Sequence, residues 1–265
     1  MPNGRSQALP KAAVDTRSTE TTTNKNGERT RVLLLDAAET LFSEHGLEGV
    51  SLRDIVDSAR VTLALVNYHF GSKEKLYRAV FERRIAPLSA SRRAALALVM
   101  ERKSPAPHIR EVLDALARPW VEMRHRPGGL AYSRLVAREA SDPSEGKRGI
   151  VTEMLDPIAR EFMAAMQQVL PGMDKKGVAW GYHFFIGALL AILANPARVT
   201  RLSGDSCDMD DEQAIIKEVV QFFSAALVPG RPFAKSAAKN LAKKSSKTPS
   251  KPRPSKPSTP SIRKK

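Results

Sequence analysis

Apolar residues recur at helical spacing from residue 30 onward. Val32 and Phe42 belong to a stripe that predicts a helix over residues 30–45, and Gly46 should end it because glycine readily takes a positive φ. The preceding residues, 1–29, are rich in Thr, Asn and Lys and have no periodicity. We therefore expect a disordered arm there.

The following pattern predicts two short helices and then a longer one. Ser51 can cap the first, since an acidic residue follows three positions later. After a turn, Thr62 can cap the second, which ends at Phe70. Ser72 should cap the third of this group, and we expect that helix to stop before Pro87, because proline lacks a backbone donor.

Beyond Pro87 the helical pattern continues between polar breaks, and Pro119 and Pro157 should kink helices or shift where they begin. The helix near 174–194 is apolar nearly all round. This favours a helix buried on most sides over a membrane span, which needs about 20 apolar residues. The helices expected here lie near 88–102, 107–125, 129–140, 148–169, 174–194 and 211–228.

The net charge of +15 is concentrated at one end of the chain. Residues 231–265 contain 12 Lys or Arg and no acid, so the region of predicted helices is close to neutral. Their Lys, Ser and Pro content favours a disordered tail. Such a tail either attracts DNA without sequence preference or only increases solubility.

No catalytic or metal-binding motif is visible. The chain has no P-loop, no dinucleotide-binding glycine fingerprint, no nucleophile elbow and no metal-ligand spacing among its five histidines, so we expect no enzymatic activity, cofactor or metal. The single cysteine, Cys207, excludes an intramolecular disulfide framework and is typical of a reducing cytosol. Residues 1–29 lack the apolar stretch of a signal peptide, so we expect a cytoplasmic protein.

Three consecutive motifs carry a family resemblance: LDAAETLFSEHG, SLRDIVDSARVT and NYHFGSKEKLYRAV. Together they resemble the DNA-binding domain of TetR/AcrR-type transcriptional regulators over residues 30–85. One residue departs from the family pattern, since Arg60 stands where glycine is common. Either the turn there is less tight than usual or Arg60 reaches a DNA phosphate.

The resemblance implies an all-α protein with an N-terminal three-helix helix-turn-helix DNA-binding domain, over residues 30–86. It also implies a larger C-terminal helical domain, over residues 87–230, that forms a homodimer through the helices near 174–194 and 211–228 and binds a small-molecule effector. Two DNA-binding domains would read a pseudo-palindrome with half-sites roughly 34–36 Å apart, in the nucleoid. Regulators of this kind are most often repressors.

The second short helix would enter the major groove of double-stranded DNA. Leu63 and Ala64 suit thymine methyl groups, and Asn67 suits adenine or a phosphate. Arg53 is expected to contact a base edge or a phosphate, or alternatively to pair with Asp57. The full set of expected DNA contacts is Ser51, Arg53, Arg60, Thr62, Leu63, Ala64, Asn67, Tyr68, His69 and Lys73.

Tyr68 and His69 match family positions that grip the DNA backbone, although either could instead be a structural residue. Lys73 adds positive charge at a helix N-terminus, which predicts a phosphate contact. The recognition helix itself has no Lys or Arg, so we expect modest electrostatic attraction from this domain.

The C-terminal helices hold the candidates for effector contacts. Such pockets are mostly apolar with a few polar groups, but plain core packing explains the same residues. Arg134 and Arg138 share one helix face and either pair with acids such as Glu139 or meet an anionic ligand. The candidates are Trp120, Met123, Tyr132, Arg134, Phe162, Met166, Trp180 and His183.

Two functions remain open from the sequence. The first is a ligand-responsive dimeric regulator that binds a palindromic operator. The second is an architectural protein that coats DNA through the basic tail. A short symmetric footprint distinguishes the first from the sequence-independent coverage of the second. No interaction with a membrane is expected.

Overall fold

The computed structural model describes residues 16–103 and 107–227, and those ranges contain α-helices, one π-helical turn (Val151–Leu155) and no β-strand. The all-α prediction is confirmed. The predicted disorder of residues 231–265 lies outside the described residues. The α-helices are α1 (Thr16–His45), α2 (Leu52–Ala59), α3 (Leu63–His69), α4 (Lys73–Met100), α5 (Ile109–Arg124), α6 (Gly129–Ser141), α7 (Glu145–Arg148), α8 (Asp156–Val169), α9 (Lys175–Ala194), α10 (Pro196–Ser203) and α11 (Glu212–Leu227).

Helix α1 begins earlier than its apolar stripe predicts. It starts at Thr16, so the prediction of disorder is wrong for residues 16–29 and untested for residues 1–15. No proline interrupts residues 16–29, and a helix that is already formed extends at the low cost of one fixed residue per hydrogen bond. Its end at His45 is as predicted.

The predicted end of helix α4 before Pro87 is wrong. The helix passes through Pro87 and continues to Met100, although a stop before Pro87 was expected. Ala86 and Pro87 are exposed, so the proline ring lies on the solvent side, where the carbonyl oxygen deprived of its helical partner can meet water. One uninterrupted helix therefore belongs to both predicted domains.

The C-terminal helices surround α5, which packs against α4, α6, α8, α9 and α11. The helix expected over 148–169 is broken into α7, the π-helical turn and α8. Gly149 takes a positive φ after α7, and Pro157 occupies the first turn of α8. Helix α10 was not predicted, because Pro196 suggested only a break and instead begins the helix.

Helix α9 is buried on one face rather than on most sides. Val178, Tyr182, Phe185 and Leu189 point into the core, where α9 packs against α5, α6, α8 and α11. Within the described ranges, α9 alone has the length and hydropathy to cross a membrane, and a third of its apolar window is buried. Its packing identifies it as part of the helical fold.

Candidate DNA-binding surface and interior site

The helices α2 and α3 are held in a helix-turn-helix by a small shared core. Ile55, Val56, Val66 and Phe70 are all buried there. The predicted cap at Ser51 is confirmed, because its hydroxyl accepts from the backbone N–H three residues on and its own N–H donates to the carboxylate there at 2.7 Å. This reciprocal cap fixes where α2 begins.

Arg60 forms the turn between α2 and α3 in the left-handed conformation, at φ 55° and ψ 45°. Its N–H donates to Asp57, and the N–H of Val61 donates to Val56 at 3.0 Å, which closes the end of α2. The turn is therefore tight despite the missing glycine, so the alternative of a looser turn is not seen, and a phosphate contact by Arg60 stays a prediction. The Arg60 side chain is exposed.

Four side chains form the outer face of α3. Leu63, Ala64, Asn67 and Tyr68 are all exposed, while Val66 is buried on the opposite face. Their spacing of one and four residues places them on one side of the helix. The hydroxyl of Thr62 makes no cap hydrogen bond, contrary to expectation, so it remains available at the start of this face.

Two further candidates flank α3. Arg53 is exposed and, among the described residues, forms no ion pair with Asp57, so the alternative of an intrahelical pair is not seen. His69 is half-buried, with its ring edge-on to Tyr68 and its Nε2 atom buried without a hydrogen-bond partner. Arg53 is thus free to reach a ligand, whereas His69 is partly enclosed by protein.

The structure places Lys73 differently from expectation. Its ammonium group donates to the backbone carbonyls of Leu47 at 3.0 Å and Val50 at 3.2 Å. Lys73 therefore ties the first turn of α4 to the loop between α1 and α2, so its ammonium group is not free as expected, and a phosphate contact through its third N–H stays a prediction. Lys75, two residues further along the first turn of α4, is exposed.

Two buried carboxylates join the helix-turn-helix to the rest of the fold. Glu39, on α1 and only 2% exposed, accepts from Arg83 and from Nε and Nη2 of Arg84 on α4. Arg84 also donates to the carbonyl of Pro127 before α6. Gly128 has a φ of +76°, which favours glycine, and a Cβ there would lie 2.2 Å from Arg84 Nη2, so a larger residue would displace the arginine.

The second carboxylate, Glu139 on α6, is 1% exposed. It accepts from the Tyr77 hydroxyl on α4 at 2.9 Å and from Arg148 Nε at 2.9 Å. Burial, followed by the nearby Glu139 charge, raises the pKa of Tyr77. The sequence did not lead us to predict these contacts of Glu139, although an acidic residue on an apolar helix face indicates a buried polar contact.

The interior candidates divide into two groups. Trp120, Tyr132, Phe162, Met123 and Met166 are buried, and the Trp120 and Tyr132 rings stack 6.3 Å apart.

The remaining candidates lie outside that interior. Trp180 and His183 are on the exposed face of α9. Arg134 is exposed and donates to the Ala194 carbonyl at 3.3 Å, and Arg138 donates to the Glu44 carbonyl at 3.1 Å. Neither arginine pairs with Glu139 or lies among the buried candidates, so the alternative of a pair with Glu139 is not seen, and an anionic ligand stays a prediction.

Sequence reasoning missed one interior side chain. Arg92, on α4, is 2% exposed, and its guanidinium lies over Trp120 and Phe162 at 5.8 Å and 5.2 Å from the ring centroids. Burial lowers its pKa. Its position between Leu88 and Leu96, four residues away on either side, was the available signal. In residues 16–103 and 107–227, no group of three His, Cys, Asp or Glu could hold a metal ion.

Two family models match the sequence. Residues 34–80 match the bacterial regulatory proteins of the TetR family, and residues 114–226 match the tetracyclin repressor-like C-terminal domain. Together they cover more than half of the chain.

Individual proteins agree with these matches. The transcriptional repressor NicS of Pseudomonas putida is 26% identical over 190 residues, which are 72% of this chain and 87% of NicS. The repressor KstR2 of Rhodococcus jostii is 46% identical over 55 residues, 21% of this chain and 26% of KstR2. The fold is similar to that of the fatty acid degradation regulator FadR from Bacillus halodurans, with TM-score 0.56, 16% identity and coverage of 76% and 97%. The chain belongs to the TetR family of bacterial transcriptional regulators.

Proposed function

We propose that this protein is a cytoplasmic, nucleoid-associated homodimeric repressor that binds a palindromic operator through α3 and leaves it when an effector binds the C-terminal helices. One observation carries the proposal: α3 presents an exposed face while its opposite face is locked into the core by Val66 and Phe70. NicS and KstR2 are both named as repressors, which supports the sign of regulation.

The residues at this face supply complementary contacts. Leu63 and Ala64 would pack against thymine methyl groups, Asn67 would pair with adenine, and Tyr68 would bond a phosphate oxygen. Arg53, exposed and unpaired within the described residues, would contact a guanine edge or a phosphate. The exposed side chains of Ser51, Arg60 and Thr62 lie nearby in sequence and complete the phosphate contacts.

An apolar stripe on α9 supports the dimer. Trp180 and Phe184 are 54% and 60% exposed, and Gly187 and Ala191 continue the same helix face. Phe222 on α11 is 68% exposed. A contiguous apolar patch of this kind marks an interaction surface, and a second copy of the same helices would cover it with the symmetry that a palindrome needs.

Binding-site selection from random duplexes, followed by footprinting, tests the DNA-binding part. A short symmetric footprint is the expected result, and sequence-independent coverage would favour the architectural alternative instead. Arg53→Ala should weaken the selected site by about 5- to 150-fold if Arg53 reads a base edge. Arg198→Ala removes the same charge from the exposed surface of α10 and should leave affinity unchanged.

Sedimentation velocity tests the dimer. Phe184→Glu places a charge in the centre of the α9 stripe and should give monomers. Leu202→Glu is the matched control, because Leu202 is equally apolar and 71% exposed but lies on α10, outside the stripe. A dimer that survives Phe184→Glu would refute this interface.

A further inference from the structure

The buried guanidinium of Arg92 has donors that no other group in residues 16–103 and 107–227 satisfies. Its Nε and Nη2 atoms are buried and have no hydrogen-bond partner. No Asp or Glu in the described part of the chain forms an ion pair with it. The groups that favour its charge are the hydroxyl of Tyr182, which accepts a hydrogen bond from the guanidinium, and the hydroxyl of Tyr132. An arginine held in a core without a counter-ion is costly, so its retention there points to a ligand.

The two unsatisfied nitrogens, Nε and Nη2, lie on one edge of the guanidinium. The same edge of other arginines in the protein binds carboxylates. Arg93 uses Nε and Nη2 to bind Glu161 at 2.8–3.0 Å. Arg118 binds Asp114 through the same pair of atoms, at 2.9 and 2.8 Å. The parallel N–H bonds of this edge match the two oxygens of a carboxylate.

Two neutral donors belong to side chains next to Arg92. Trp120 Nε1 and the Tyr132 hydroxyl are also buried without a partner. Trp120 lies directly against the Arg92 guanidinium and stacks on Tyr132. Buried polar atoms are normally hydrogen-bonded, so three unsatisfied side chains linked through Trp120 are treated as one group of donors rather than as isolated exceptions.

The surroundings of this group of donors are apolar. The Arg92 guanidinium also lies over the Phe162 ring, at 5.2 Å from its centroid, and Met166 is buried on the same helix as Phe162, α8. A ligand that satisfies one cation and two neutral donors carries a single compact negative charge. Among apolar side chains such as Phe162, the rest of that ligand would be apolar.

We propose that the effector is a small organic carboxylate whose carboxyl group binds the Nε–Nη2 edge of Arg92, with Trp120 and Tyr132 as additional donors and its apolar body against Phe162. This inference rests on the proposed function for the consequence of binding, which is release of DNA. The binding site itself stands on the geometry of Arg92.

Tryptophan fluorescence of the full-length protein in a Trp180→Phe background tests the site, because Trp120 is then the sole tryptophan of the chain. The probes are octanoate and benzoate, each against its neutral amide, which distinguishes aliphatic from aromatic acids. At least one acid should quench Trp120 saturably and bind at least about tenfold more tightly than its amide, since hydrogen bonds to charged groups are the stronger ones.

Variants of Arg92 and of its neighbour Arg93 show which arginine is responsible for the preference for the acid. Arg92→Met should abolish the preference for the acid, whereas Arg93→Met should keep it, because the Arg93 edge is already occupied by Glu161. Arg92→Lys keeps the charge but lacks the two-nitrogen edge, so its preference for the acid should fall as well. Circular dichroism confirms that each variant is folded before the titration.

Equal binding of acid and amide, no saturable binding of either acid, or an unchanged preference in Arg92→Met would each overturn the carboxylate site. Operator binding is measured in parallel without the probes, on protein that keeps Trp180, because Trp180 belongs to the proposed dimer stripe. A protein that binds its selected site but neither acid refutes only the effector class. A protein that binds an acid through Arg92 but selects no DNA site refutes the proposed function and leaves the carboxylate site intact.

Discussion

Replacing Glu39 by glutamine should destabilise the fold far more than the same change at Glu161. Both carboxylates accept two nitrogens of one arginine, from Arg84 at 2.7 and 3.0 Å and from Arg93 at 2.8–3.0 Å. They differ in burial, because Glu39 is 2% exposed and also accepts from Arg83, while the side chain of Glu161 is 42% exposed. The difference in burial should therefore decide how much free energy of unfolding each substitution removes.

Removing one partner of a buried ion pair typically costs about 3–5 kcal/mol, because the other charge is left without compensation. Arg83 and Arg84 are about one-fifth exposed and can recover some hydration, which places Glu39→Gln near the lower bound, at about 3 kcal/mol. An exposed pair contributes at most about 1 kcal/mol, so Glu161→Gln should stay below that. The corresponding falls in Tm are about 6–12 °C and at most about 4 °C.

Urea unfolding followed by circular dichroism and by tryptophan fluorescence measures both variants, and coincident transitions justify a single free energy of unfolding. Salt provides an internal control. The effect of Glu161→Gln should shrink further in 1 M salt, whereas the effect of Glu39→Gln should largely persist because buried pairs are poorly screened. Equal losses for the two variants would refute the assignment of Glu39 as the buried link between α1 and α4.

Three further predictions concern the turn, the tail and the α2 cap. Arg60→Gly relieves a left-handed non-glycine residue and should not lower the free energy of unfolding; operator binding that weakens while stability is kept would show that Arg60 contacts DNA. A chain ending at Gly230 should keep its site preference and lose much of the slope of log K against log salt, and an unchanged slope would exclude contact between residues 231–265 and phosphates. Hydrogen bonds from the Ser51 backbone and hydroxyl lower the pKa of Asp54, so its stabilising contribution is present above pH 3.8 and is lost as pH falls through the lower folded pKa; Tm measured from pH 5 to pH 2.5 should fall more steeply than in Asp54→Asn.

Local signals in the sequence were sufficient for the helix-turn-helix. Ser51 carries its own cap, and Val66 and Phe70 reveal the buried face of α3 by spacing alone. The end of α4 was predicted wrongly at Pro87. The free-energy cost of a proline inside a helix depends on which side of the helix faces solvent, and that is set by tertiary packing. Arg60 could not be placed in advance either, since a left-handed arginine is set by the closing hydrogen bonds around it.

Polar side chains with long reach were the hardest to place. Lys73 was expected at a phosphate because it begins a helix, yet its four-carbon stem reaches the loop carbonyls instead. Arg92 was overlooked because an arginine in a long helix is usually on the surface. The contact of Lys73 depends on what lies opposite its side chain, and a single sequence does not contain that information. The burial of Arg92, by contrast, was indicated by its spacing from Leu88 and Leu96.

Helix α4 provides the physical connection between the interior and the DNA-binding domain. At 1.5 Å per residue, Arg92 and Lys73 lie roughly 28 Å apart on it, so a rotation of about 5° about Arg92 would move the other end by roughly 2 Å. A carboxylate at Arg92 can drive such a movement only through differential affinity for two positions of α4. One that binds both positions equally would leave operator affinity unchanged however tightly it binds, and so would bind Arg92 without being an effector.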